Sequence, residues 1–315
     1  MLVLATALTV GGGTPGPVAQ PGVETAPGPL PATSPAGVPL FGHVFVIVME
    51  NKEYGSVIGS RDAIYVNRLA NQYALATRFF AITHPSLPNY LALTAGSTFD
   101  MHSDCTTCFT SAENLADQIE AGGRSWEAYL EGMPAPCFNG DSGRYAQKHN
   151  PWIYYDDIRL DPDRCRSHVV PFTQFKADLA SGSVADFTWI TPDLCNDTHD
   201  CPVRSGDAWL AGHVPAILAS SAFRHNGVLF ITWDEGSSGA GCCGLASGGH
   251  IPTLVISPMA RSGYRSTVMQ TSYSLLRTIE EGWRLPLLNA AASPQTATLA
   301  DCFKSLSSGV EVQRR

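Results

Sequence analysis

The run Thr83-His84-Pro85-Ser86-Leu87-Pro88-Asn89-Tyr90 sets a hydroxyl at the entrance to a helix. Proline is at home in the first helical turn, where no hydrogen bond is lost. Ser86 therefore falls near the positive end of a helix dipole. Either it is an N-cap, or it is a nucleophile set to receive an anion. Other polar residues bear on that choice. Glu50-Asn51 follows the apolar run "HVFVIVM", and Asp234-Glu235-Gly236 follows "GVLFITW". Asp193, Asn196, Asp197, His199 and Asp200 come after "DFTWIT", His149 stands in "HNPW", and His250 ends "GGH" just before "IPTLVIS". Each alone has an ordinary reading as a cap, a turn or a surface loop. Together, Glu50, Asp234 and Glu235 put three carboxylates at neighbouring strand ends. Such charges repel strongly unless they are protonated or bridged by a cation. Oxygen ligands suit Ca²⁺, Mg²⁺ or Mn²⁺, and the histidines nearby keep Zn²⁺ or Fe open.

The elements that must position these residues follow from the apolar pattern. The β-branched runs at 43–49, 186–191, 227–233 and 252–257 are too short for typical helices. They read as strands buried on both faces, as in a parallel sheet. Helical patterns lie between them at 62–76, 110–121, 207–221 and 272–283, the second opening with Thr110 and Glu113 at capping-box spacing. The expected fold is α/β, with a mostly parallel central sheet and helices on both faces. Ligands in such sheets bind beyond the carboxyl ends of the strands. The first three polar clusters would emerge there, whereas His250 would need its loop to fold back over that edge. The Cys-, Pro- and Gly-rich stretch 97–170 reads as a loop-rich insertion over the sheet.

Composition narrows the classes of partner. With 20 Lys+Arg against 28 Asp+Glu, the net charge of −8 offers no footprint for nucleic acid or anionic membranes. A phosphate-bearing substrate stays open, because a site can carry its own cation. Residues 2–10, "LVLATALTV", fall far short of the ~20 apolar residues of a membrane span. Residues 1–10 read as the remnant of a secretory signal without its basic start, and 11–40 as a Pro/Gly-rich extended linker. Residues 41–303 would then form one catalytic domain, with 304–315 as a tail. Nine cysteines beside an export-like start favour disulfides, and hence a secreted or cell-envelope protein. Cys105/Cys108, Cys195/Cys201 and Cys137/Cys165 are the candidate pairs, with a structural zinc site as the competing reading. The odd cysteine is Cys302, or else Cys242 and Cys243 do not both pair.

"VIVMENKEYGSVIG", "THPSLPNYLALTAG", "HNPW", "LCNDTHDC", "GDAWL", "ITWDEG" and "GGHIPTLVISP" stand in one order along residues 41–285. In this the chain resembles the bacterial and fungal phosphoesterase family, which holds acid phosphatases and phosphatidylcholine-type phospholipases C. The family's fold resembles that of the alkaline phosphatase superfamily. The resemblance implies Ser86 as nucleophile, with Thr83 as the rival hydroxyl, and Asn89 as a holder of phosphoryl oxygens. It implies one divalent metal ion on Glu50, Asn51, Asp234 and Glu235. His149 and His250 would face the phosphate, and His199 would protonate the leaving oxygen. Sulfatases of similar fold carry Cys/Ser-x-Pro-Ser-Arg, whereas Asn89-Tyr90 follows Pro88 here. The implied activity is a secreted, metal-dependent, acid phosphatase-like hydrolysis of small phosphate esters through a phosphoseryl intermediate. Phospholipase C-like diester cleavage is the alternative, and it alone would bring membrane contact. A binding protein that lost its chemistry would be expected to have lost the nucleophile or an acid.

Overall fold

The computed structural model describes residue 2, residue 34 and residues 36–305. The expected export segment 1–10, nearly all of the linker and most of the tail lie outside these residues. Part of the described end of the linker is packed: Val38 is fully buried and Ser34 nearly so.

Nine strands form one sheet: β1 (Val44–Met49), β2 (Ala74–Phe80), β3 (Trp126–Leu130), β4 (Val169–Pro171), β5 (Phe187–Thr191), β6 (Val228–Trp233), β7 (His250–Ile256), β8 (Arg265–Ser266) and β9 (Gln270–Thr271). Their order is β4-β3-β5-β1-β6-β7-β2-β8, with β9 also paired to β2. Central β1 lies parallel to both neighbours, Val44 standing opposite Phe187 of β5 and Val228 of β6. Every residue of β1, β5 and β6 is buried. That explains their largely apolar runs, interrupted only by Thr188, Thr191 and Thr232, since neither face meets water.

The sheet is mostly parallel, as expected, but β7 runs against β6 and β2. Its first residue, His250, therefore pairs with Phe80 at the end of β2. The reversal carries His250 to the edge where β1 and β6 end, so no folding back of its loop is needed.

Five strands escaped the pattern: β2, β3, β4 and the two-residue β8 and β9. The expected helix 62–76 stops at Gln72, and Leu75 belongs to β2. The stretch 97–170 is more than an insertion, because it supplies β3 and β4 to the sheet. Its helix spans Leu115–Ala121, and the capping box is made by Asn114 and Asp117, not Thr110 and Glu113. The later helices run Val203–Ala219 and Ser272–Trp283. Disulfides join Cys105–Cys108, Cys137–Cys165 and Cys195–Cys201, leaving Cys242, Cys243 and Cys302 free.

Candidate active site

Glu50 directly follows β1, and Asp234-Glu235 directly follow β6. These strands are neighbours, so their ends set three carboxylates side by side at the carboxyl edge of the sheet. Ser86 comes to the same place from the far side of β2. It is the first residue of helix Ser86–Ala95, with Pro85 in the N-cap position. The N-cap reading of Ser86 thus gives way: its side chain makes no cap and points at the acids. Its Oγ lies 3.2 Å from Glu50 Oε2 and 3.4 Å from Glu235 Oε1, and the residue is 1% exposed.

Asn89 sits less than one turn further on. Its Oδ1 accepts from the Ile82 and Thr83 amides, and its Nδ2 donates to the Thr83 and Pro85 carbonyls. All four hydrogen-bonding positions of the amide are thereby filled by backbone. The phosphoryl contact expected of Asn89 is replaced by a bracing role on the loop that presents Ser86.

His149 is also placed otherwise than expected. Its Nε2 lies 3.2 Å from Glu50 Oε2 and its Nδ1 3.3 Å from Asp197 Oδ2, with the ring stacked on Tyr90. These are ion-pair approaches without the direction of good hydrogen bonds, since Nε2 and Asp197 Oδ2 both lack a hydrogen-bond partner. The ring faces two acids, so a direct phosphate contact is not what the geometry provides. Burial opposes its charge, but Glu50 and Asp197 outweigh burial and lift His149 to about 9. Asp197 is pushed up to about 6 by burial, against the pull of His149.

The remaining acids are held at unequal cost. Tyr90 Oη donates to Glu50 Oε1. Burial would raise Glu50, yet His149 and Tyr90 bring it below the usual carboxylate range. Asp234 is driven well above that range by burial and then by the charges of Glu50 and Glu235. Its Oδ1 accepts from the Asn51 backbone amide at 3.1 Å, where Asn51 takes a left-handed φ of 57°. Its Oδ2 is buried without any partner. Glu235 is raised by burial and is paired with His84, whose other nitrogen reaches the Ser238 carbonyl at 3.0 Å.

His199 lies at the more open side, with Nδ1 2.7 Å from Asp200 Oδ1 and Nε2 3.3 Å from Lys148 Nζ. An ammonium only donates, so Nε2 accepts and the ring proton sits on Nδ1 toward Asp200. His250 stands apart from this group. Its Nε2 reaches the Thr77 carbonyl at 2.9 Å and its ring is stacked between Tyr54 and Phe80. Pairing with Phe80 at the start of β7 lays the ring over β2, which replaces the phosphate contact expected of it.

The donor set fits a divalent cation. Buried Asp234 Oδ2 is an orphaned acceptor, and like charges crowd around Ser86. One donor atom each from Glu50, His149 and Asp197 also lies within 4.8 Å of the others, all three residues being buried. Tyr90, His84, Lys148 and Asp104 were not singled out from the sequence, and Asp197 was noted only as part of the polar cluster after "DFTWIT". Tyr90 had a local signal, because it stands four residues after Ser86 and so shares its helix face.

Residues 60–286 match the Phosphoesterase family. The chain is 32% identical over 266 residues to a phosphatidylinositol-3-phosphatase of Mycobacterium tuberculosis, covering 84% of each chain. It is 30% identical over 270 residues to an acid phosphatase of Aspergillus fumigatus, covering 82% of this chain and 58% of that one. The chain thus spans little more than half the length of this fungal relative. Among solved structures, a protein in the alkaline phosphatase superfamily from Vibrio parahaemolyticus superposes with a TM-score of 0.56 at 14% identity, over 86% of this chain and 75% of that one. Murine ectonucleotide pyrophosphatase/phosphodiesterase 5 gives 0.52 at 10%, over 83% and 100%. At such identities these two likenesses show the fold alone.

Proposed function

The chain belongs to the Phosphoesterase family, hydrolases of phosphoric esters, and on that premise we propose that it cleaves phosphate monoesters by in-line attack of Ser86 Oγ. The observation that carries this reading is the seat of Ser86, 3.2 and 3.4 Å from carboxylates at the ends of two adjacent strands. The hydroxyl gives up its proton toward these acids as the Oγ–P bond forms and the ester oxygen departs. A divalent cation held by Glu50, Asp234 and Glu235, with Asn51 beside them, would favour the serine oxyanion and offset charge on the phosphoryl oxygens. Tyr90 and His149 keep Glu50 ionised and oriented. His199, whose Nδ1 is paired with Asp200, is the side chain on the open flank of the site that returns a proton to the departing oxygen. Water then hydrolyses the phosphoseryl intermediate.

The two sequence relatives named above are phosphatases by name, which favours this reading over diester cleavage. A phosphoinositide headgroup is one such monoester. Three disulfides support an oxidising, extracytoplasmic compartment. The test is Ser86→Ala: turnover of an aryl phosphate is expected to fall by a factor on the order of 10³ or more with the melting temperature kept. Brief exposure of the wild type to labelled substrate at low pH should leave phosphate on Ser86. Near-normal turnover by Ser86→Ala would remove Ser86 from the reaction.

A further inference from the structure

Four carboxylates, from Glu50, Asp197, Asp234 and Glu235, gather about Ser86 and His149. A phosphate ester adds negative charge to a place already rich in it. His149 offers little relief, with both nitrogens turned to Glu50 and Asp197. Lys148, its neighbour in sequence, is differently placed. Its Nζ lies 2.9 Å from Asp104 Oδ2 and 3.3 Å from His199 Nε2. Asp104 Oδ1 in turn accepts from the Leu87 amide at 3.0 Å, the amide directly after the nucleophile. One carboxylate therefore ties the ammonium to the start of the Ser86 helix. An ammonium has three donors, and Asp104 and His199 engage two of them. The side chain is partly open, 21% exposed. Lys52, the other lysine near these acids, donates to the Thr198 carbonyl at 2.7 Å.

We propose that Lys148 is a catalytic residue of this site, its ammonium donating to a non-bridging phosphoryl oxygen of the ester while Asp104 and His199 fix its direction. The proposal rests on the phosphatase reading above.

The test measures binding of inorganic phosphate by calorimetry, with divalent cation present, in the Ser86→Ala background. Adding Lys148→Gln should weaken the phosphate Kd about tenfold to a hundredfold, the worth of a charge-assisted hydrogen bond. Lys148→Arg should recover part of the loss. In the Ser86 enzyme, Lys148→Gln should raise KM and lower kcat, whereas Lys176→Gln, on the remote helix Phe175–Ser181, should change neither. Asp104→Asn should weaken phosphate in the same direction by less. Should Lys148→Gln fail to fold, phosphate should still slow reductive methylation of Lys148 relative to Lys176 in the unaltered protein. An unchanged phosphate Kd in Lys148→Gln, equal labelling with and without phosphate, or tighter binding in Asp104→Asn overturns the proposal. Those outcomes leave the phosphatase reading standing if the wild type still turns over esters. A wild type inert toward every phosphate monoester would sink that reading first.

Discussion

At the scale of single residues, the site shows stability given up for chemistry. Asp234 is buried, faces Glu50 and Glu235, and has one oxygen with no partner. A like-charge cluster of this kind destabilises the protein when no cation is bound. Asp234→Asn keeps the shape and removes one charge. In the presence of a chelator its melting temperature should therefore lie above that of the wild type. The rise in melting temperature that divalent ions give the wild type should shrink or vanish, because ligand binding stabilises only as far as the folded state binds it. Scanning calorimetry with and without added ion checks both halves. A variant that melts lower than wild type in chelator would mean that Asp234 is held by contacts and not strained by charge. Glu50, Asp234 and Glu235 were legible in the sequence because each follows a buried, largely apolar strand. Their partners were not. Tyr90 is 40 positions from Glu50, and His149 is 99 from it by its number, so only folding reveals that they meet.

At the scale of elements, the loop between β6 and β7 braces the turn that delivers Ser86. The Ser247 and Gly248 amides donate to the Ile82 and Ala81 carbonyls at 2.9 Å each. A Cβ on Gly248 would come within 2.4 Å of the Thr83 carbonyl oxygen and 2.6 Å of its nitrogen. Backbone cannot yield there as a flexible side chain would. Gly248→Ala should therefore push back residues 81–85 and the start of the Ser86 helix. Turnover is expected to fall at least tenfold with far-ultraviolet circular dichroism unchanged, since a displacement of about 1 Å at a reacting group costs that much or more. Wild-type kinetics in Gly248→Ala would show that the brace is not needed. Element type was readable where burial is uniform. β1 stood out as an unbroken apolar run, and β5 and β6 as runs broken only by threonine. β2 did not, because Thr77 and Arg78 interrupt it at partly open positions, and β3 and β4 were hidden by the irregular sequence around them.

At the scale of the whole molecule, a buried carboxyl away from the candidate site contributes to how stability varies with pH. Glu280 lies in helix Ser272–Trp283 with no exposed surface; its Oε1 accepts from the Leu288 amide at 2.9 Å and its Oε2 has no partner. Burial pushes it up to about 8, against the amide bond and the nearby Arg277. In the unfolded chain it titrates near 4.5. The unfolded state thus ionises first, and the cost of holding the proton grows from about pH 4.5 to about pH 8. Above that window the cost is constant. Glu280→Gln retains the acceptor and cannot ionise, so its advantage in melting temperature over the wild type should be small at pH 4.5 and grow to pH 8. Parallel melting curves across that range would reject this account of Glu280. The favoured range on the acid side also suits a phosphatase that works in mildly acidic surroundings.

One strand turned against its neighbours has a further effect on how such an enzyme can diversify. Because β6 and β7 are antiparallel, the segment joining them never has to cross to the opposite rim of the sheet. It begins at Asp234-Glu235, meets His84 at the Ser238 carbonyl and returns to brace Ile82 and Ala81 through the Ser247 and Gly248 amides. Its outer part around Cys242 and Cys243 makes none of those bonds, so its length can change while the framework beneath stays as it is.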